Sequence, residues 1–216
     1  KITNVRFAEG SVHIGKHEIS FTSAVQLCYQ NRISLSATGF YKTPDISWDR
    51  IKGNGRPFFY FAHGVSVSEV VIDTLTGENR LLRADILHDV GVSLNPSIDI
   101  GQVEGGYVQG VGWLTTEELV WDDTGKLMTH APSTYKIPVS SDSPDIFNVK
   151  LWKNENLEET IYRSKAVGEP PLMLGLSAFF ALSHAASFCG QNYPDLSTPA
   201  THERLFWACE RAQHGN

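Results

Sequence analysis

The chain has 216 residues, 41% of them hydrophobic and 19% charged, with a formal net charge of -6 and a pI near 5.7. This is ordinary globular composition with length enough for a core. It excludes nucleic acid as the main partner, because binding phosphates calls for a basic face. The longest apolar run, residues 172–188, is broken by Ser177, Ser183, His184 and Ser187 and falls short of the roughly 20 residues that span a bilayer.

The opening KITNVRFAEGSVHIG has no initiator Met and no basic-then-apolar leader pattern, so it reads as the interior of a longer chain. The length suits one large domain or two small lobes. Residues 1–18 alternate weakly and predict a strand or hairpin around Gly10. In residues 20–31, Phe21, Ala24, Val25 and Cys28 recur at helical spacing behind a Ser/Thr start. The next stretch, RISLSATGFYKTPD, predicts a strand ending in a loop at Gly39 and Pro44. Residues 56–91 form the clearest β region: Phe59, Phe61, Val65, Val67 and Val71 alternate with Tyr60, Ala62, Gly64 and Ser66. DTLTGEN then turns the chain, and RLLRADILHDV returns as a partner strand.

After a loop at DVGVSLNP, residues Ile98, Val103, Tyr107, Val108, Val111 and Leu114 fit one helix face. Five glycines lie between 101 and 112, and each costs a helix about 1 kcal/mol relative to alanine. Such a helix needs the close approach of another backbone or a ligand. A short hairpin is expected around residues 122–125 and a strand at DIFNVKLW. A buried helix is expected from Pro170 and a last one from Thr198, with Pro199 at its first position. Mixed strands and helices without strict βαβ alternation predict an α+β fold.

Three cysteines, Cys28, Cys189 and Cys209, are far apart in sequence and form no CxxC. They build neither a zinc knuckle nor an iron–sulfur cluster, and are expected as reduced thiols of a cytoplasmic protein. His13 and His17 stand four apart, but in a strand or turn, so no shared metal is expected. His63 and His88 read as core or surface residues of the β region.

Two residues carry a sharper reading. Glu169, in SKAVGEPPLM, is either a helix-start acid favoured by the dipole or a general base. Pro170 and Pro171 fix its backbone more tightly than capping needs. Its apolar flanks Val167, Leu172, Met173 and Leu174 predict burial, which raises a carboxylate's pKa. Gln102, in DIGQVEGGYVQG, is either a solvent-facing glutamine or an amide at a helix N-terminus, bonded to a polar ligand.

Taken together, QNRISLSATGFYKTP, DILHDVGVSLNPSIDIGQVEGGYVQG, HAPSTYKIP and SKAVGEPPLMLGLSAFFAL resemble the C-terminal part of the molybdenum-binding portion of the xanthine dehydrogenase family. The likeness runs from about Gln30 to Cys209. The Gly-Glu-Pro-Pro run and the STYKIP and SATGFY blocks favour this branch over related aldehyde and carbon monoxide oxidoreductases. The resemblance implies that residues 1–216 are the C-terminal segment of a molybdenum cofactor-binding domain whose upstream part is elsewhere. It implies Glu169 as the base taking a proton from a molybdenum-bound hydroxyl, and Gln102 as the glutamine bonded to the pyranopterin. It also implies a hypoxanthine/xanthine hydroxylase of purine catabolism, with electrons leaving through 2Fe-2S clusters and FAD, in other domains or a second subunit, to NAD. The implied partners are the upstream remainder of the subunit, the iron–sulfur/FAD unit, a purine and further copies in an oligomer. The alternatives are a related hydroxylase of another heterocycle or aldehyde, and a folded interaction segment without chemistry of its own.

Overall fold

The computed structural model describes residues 4–214 and divides into two compact units, Lys1–Ile46 and Ser47–Asn216. In the first unit, β1 (Val5–Ala8), β2 (Ser11–Ile14) and β3 (His17–Ser20) form an antiparallel sheet in that order. The expected hairpin turns at Glu9 and Gly10, with φ of 48° and 74°, a region that glycine enters without steric cost. The register places His13 opposite Glu18. Helix α1 (Phe21–Gln30) follows, and the Ser20 hydroxyl accepts the Ser23 backbone N–H, satisfying one orphan donor of the first turn.

The strand expected in RISLSATGFYKTPD does not form. Among the described residues no strand pairs with this stretch, so its backbone has no ladder to join. Ile33, Leu35 and Phe40 are exposed.

In the second unit, β4 (Ser47–Asp49) and β5 (Asn54–Arg56) make a small hairpin. The main sheet has β6 (Gly64–Ile72) antiparallel to β7 (Asn79–His88), and β8 (Ile146–Leu151) parallel to β7 on its other side. The expected turn at DTLTGEN closes through hydrogen bonds from Asp73 N–H to Glu78 O and from Gly77 N–H to Asp73 O. The crossover from β7 to β8 contains the glycine-rich helix α2 (Pro96–Thr115); α3 (Leu176–Ser187) and α4 (His202–His214) come last. A small mixed sheet with helices packed on it is α+β, as the element pattern predicts.

Three expectations need correction here. Residues 57–63 lie outside the sheet, because β6 begins at Gly64. Within β6 the inward face is polar in its first half: Ser66 and Ser68 are half-buried ahead of the half-buried Val70 and Ile72, while Val65, Val67 and Val71 are exposed. The serines can turn inward because each finds a partner. Ser66 donates to Leu174 O at 2.7 Å, and Ser68 bonds Tyr107 Oη at 2.7 Å and Ser177 Oγ at 2.6 Å, so no buried hydroxyl is left unsatisfied. Finally, α4 begins at His202, so Pro199 precedes the helix and is not its first residue.

The core has two parts. Ala84, Ile86, Val103 and Tyr107 are buried where β7 meets α2, with Phe147, Val149, Val167 and Leu174 packed on them. Leu182, Ala200 and Leu205 form the second, with Val70, Ile72 and Phe179 against them.

Candidate functional site

Helix α2 starts as its sequence dictates. Asn95 is extended and its side chain accepts the Ile98 N–H, and Pro96 occupies the first turn, where no N–H is needed. Val103, Tyr107 and Leu114 turn inward and are buried. Gln102 falls in the second turn, not at the N-terminus that was expected. Its backbone N–H is therefore spent inside the helix, and only its side-chain amide remains to meet another group.

The glycines of α2 serve three surroundings: Gly112 packs on Pro138, where a Cβ would stand 2.2 Å from its ring, and the other four fall into two sets. A Cβ on Gly110 would stand 2.2 Å from Leu172 O, one on Gly106 2.9 Å from Pro171 Cβ, and one on Gly175 2.6 Å from the Gly110 carbonyl carbon. On this face the segment after Glu169 lies directly on the helix backbone, and any side chain would lift it off. Gly101 and Gly105, flanking Gln102, have nothing within 4 Å of where a Cβ would be. They leave an open strip along the helix on which a bulky group can reach the backbone.

The buried helix expected from Pro170 begins as a 3-10 turn, Pro170–Gly175, and becomes α-helical only at Leu176. Two successive prolines bring no N–H groups to the first turn, and Glu169 before them keeps helical dihedrals, φ -99° and ψ -41°, despite the usual pre-proline preference for extended backbone. The turn is pinned at its far end, where Leu174 O accepts the hydroxyls of Ser66 at 2.7 Å and Ser177 at 2.9 Å. At its near end Glu169 O accepts the Leu172 N–H at 3.1 Å.

Glu169 stands at the head of this turn, and its side chain makes no capping hydrogen bond. The expectation of burial is not met within this chain: Val167 and Leu174 pack into the core and leave Glu169 exposed between them. Gln102 is exposed too. The segments that carry the two predicted residues meet: a Cβ on Gly168, the residue before Glu169, would stand 3.3 Å from Gln102 Nε2. The Gln102 amide thus lies against the residue preceding Glu169, beside the open glycine strip. An exposed amide beside an open strip of helix backbone fits a large polar group seated there by hydrogen bonds, and Glu169 heads the turn next to it.

Sequence reasoning missed a buried ion pair just upstream. Lys165 Nζ donates to Asp89 Oδ2 at 2.5 Å, and both side chains are only 9% exposed. Burial pushes the Asp89 carboxyl upward, but the Lys165 hydrogen bond, the Gly91 N–H, the Asn154 amide and the lysine charge outweigh it, leaving the group below its ordinary 3.8. Seventy-six positions separate the partners, so spacing gave no signal. Neighbouring His88 is buried with no partner for either ring nitrogen. Burial lowers its pKa from the ordinary 6.5, the Lys165 charge adds to that, and Asp89 opposes it. The three cysteines are free thiols; burial and the Cys189 thiol push Cys209 up to about 12. Among the described residues no group of three or more His, Cys, Asp and Glu side chains is placed to hold a metal ion, and no helix is long and apolar enough to cross a membrane.

Residues 1–144 match the molybdopterin cofactor-binding domain, a stretch that includes Gln102 and ends before Glu169. The xanthine dehydrogenase/oxidase of Felis catus is 49% identical over 198 residues, covering 88% of this chain and 15% of that protein. The xanthine dehydrogenase of Dictyostelium discoideum is 48% identical over 199 residues, again 88% and 15%. The chain therefore spans about 15% of the length of these curated relatives. Among solved structures, the quinoline 2-oxidoreductase of Pseudomonas putida 86 superposes with a TM-score of 0.65 at 23% identity, over 97% of this chain and 26% of that one. The aldehyde oxidoreductase of Desulfovibrio gigas gives 0.67 at 23% identity, over 86% and 20%. These two likenesses establish the fold.

Proposed function

The chain belongs to the molybdopterin cofactor-binding domain family, and from that premise we propose that it contributes the Gln102–Glu169 edge to the active site of a xanthine-oxidising hydroxylase. The observation that supports the reading is the nearness of the Gln102 amide to Gly168, where an added Cβ would stand 3.3 Å from Nε2, so that the turn headed by Glu169 starts beside the bare edge of α2. Identities of 44–50% to curated xanthine dehydrogenases support a purine as the substrate.

The cofactor, when bound, supplies oxygen transfer to an electron-poor carbon and accepts two electrons. The residues of this chain do the rest of what concerns this edge. Gln102 holds the pterin through its side-chain amide, and Gly101 and Gly105 leave the space in which it lies. Glu169 receives, on a carboxylate oxygen, the proton of the attacking hydroxyl. The absence of a capping bond to that carboxylate supports this role, since a side chain spent on its own helix could not take up a proton freely. Two prolines and the turn's seat on α2 fix the backbone from which the carboxylate projects, and a shift of about 1 Å in such a group can cost on the order of a hundredfold in rate.

In the intact enzyme, electrons leave through 2Fe-2S clusters and FAD to NAD, held by other domains or a second subunit of a cytoplasmic oligomer. The upstream remainder of the polypeptide completes the cofactor and purine contacts. Glu169→Gln in the intact enzyme tests the central role. Glutamine keeps size and packing but cannot accept the proton, so turnover of xanthine should fall by about 10² to 10⁴ with cofactor content unchanged. Turnover within tenfold of wild type would remove Glu169 from the chemistry.

A further inference from the structure

Glu169 is held from both sides, and the two holds differ in kind. Downstream, the Pro170–Gly175 turn sits on the glycine face of α2. Upstream, residues 163–165 run antiparallel to residues 90–92: Lys165 N–H donates to Val90 O at 2.7 Å, Val92 N–H donates to Arg163 O at 3.0 Å, and Gly91 bridges Ser164. Gly91 has a φ of +61°, and a Cβ there would meet Arg163 O at 2.4 Å, so this contact is backbone on backbone. The Ala166 N–H donates to Tyr60 Oη at 2.8 Å. Beyond Ala166, Gly168 lies beside Gln102, whose Nε2 would stand 3.3 Å from an added Cβ.

The side chain of Lys165 locks the upstream hold. Its Nζ donates to Asp89 Oδ2 at 2.5 Å and to Phe61 O at 2.9 Å. Asp89 is itself fixed: its backbone N–H donates to His63 O at 2.8 Å, and its Oδ1 accepts the Gly91 N–H at 2.8 Å. Buried ion pairs are weak contributors to stability, since desolvation offsets their attraction and apolar replacements are often neutral or better. What such a pair does supply is direction. Charge-assisted bonds are short and geometrically strict, so this one fixes the chain in three dimensions four residues before Glu169.

We propose that Lys165, through its buried bond to Asp89, is a positioning residue that sets the distance of Glu169 from Gln102 and hence from the reacting atoms. This rests on the reading of Glu169 as the base. The test uses the intact enzyme that contains this segment, with xanthine as substrate. Lys165→Met keeps the length of the stem and removes the charge. Asp89→Asn keeps the shape of the acceptor and serves where the lysine variant does not fold. Arg80→Met, which breaks the exposed Arg80–Asp145 pair, is the control.

Lys165→Met is expected to lower kcat by roughly tenfold to a hundredfold with KM and pterin content unchanged. Amide hydrogen exchange across residues 163–169 should quicken by at least about tenfold, reflecting local opening. Asp89→Asn should do the same to a smaller degree, because the bond to Phe61 O remains. Arg80→Met should change neither readout. Unchanged exchange in residues 163–169 would overturn the proposal whatever Glu169 does. Faster exchange with kcat kept would also overturn it, provided that Glu169→Gln in the same background is inactive. If Glu169→Gln is active as well, the base assignment is what has failed.

Discussion

Replacing Gly110 by alanine asks how strictly the seat of the Pro170–Gly175 turn depends on a missing side chain. The new methyl would lie 2.2 Å from Leu172 O, 3.2 Å from Leu172 C and 3.3 Å from Gly175 Cα. A carbon–oxygen contact relaxes near 3.3 Å or beyond, so the turn must retreat by about 1 Å. Overpacking of this kind costs about 1–3 kcal/mol, and alanine returns about 1 kcal/mol of helix propensity, leaving a net loss of roughly 0–2 kcal/mol. The rate should suffer more than the stability. Leu172 N–H is bonded to Glu169 O, so a retreating turn carries Glu169 with it, and a displacement of about 1 Å can lower kcat by on the order of a hundredfold. Steady-state kinetics on xanthine, with pterin content measured on the same preparation, read this directly. Gly105→Ala is the counterpart. Its methyl enters open space and should stabilise α2 by about 0.5–1 kcal/mol, while weakening retention of the cofactor. If Gly110→Ala turns over within twofold of wild type, the glycine face does not position Glu169, and the reasoning from backbone contact is refuted.

His88 gives a pH prediction. Its folded pKa lies below 6.5, so on acidification the unfolded chain takes up the proton first. Stability is full above 6.5 and falls as pH drops toward the folded value; His88→Leu should abolish that fall, read as hydrogen exchange of β7 between pH 7 and 5. The same substitution removes two partnerless buried nitrogens and should be neutral or stabilising at pH 7. Leu205→Ala, at a side chain with no exposure, should cost about 2–5 kcal/mol and open α4 to exchange. Residues 1–216 expressed alone should retain no molybdenum cofactor; stoichiometric molybdenum would show that this chain holds contacts here assigned to upstream sequence.

Periodicity and turn chemistry made much of the fold legible. The α1 start at Ser20, the DTLTGEN turn and the α2 face through Val103, Tyr107 and Leu114 follow from local residue choice, and local rules reach that far. The failures share a cause in tertiary partners. Ser66 and Ser68 face inward because Leu174 O, Tyr107 and Ser177 await them, and alternation alone would have sent the valines in. RISLSATGFYKTPD has the composition of a strand but no neighbour. For the site, the glycines of α2 announced a close approach without saying of what. The answer differs by position: Gly106 and Gly110 meet the Pro170–Gly175 turn, Gly112 meets Pro138, and Gly101 and Gly105 face open space beside Gln102. The Lys165–Asp89 pair was invisible because neither residue sits in a pattern that singles it out.

The seat of the turn on α2 also dictates an order of events at the ribosome. Chains emerge N-terminus first, so α2 leaves the exit tunnel well before residues 170–175 that cover Gly106 and Gly110. Until then the glycine face is bare backbone in water, and glycine gives it little intrinsic helicity to persist with. The Gln102 edge therefore takes its final form only after residues 170–175 have emerged and docked on α2. A cofactor that needs Gln102 and Glu169 together cannot be held by this edge before then, however early α2 itself leaves the tunnel.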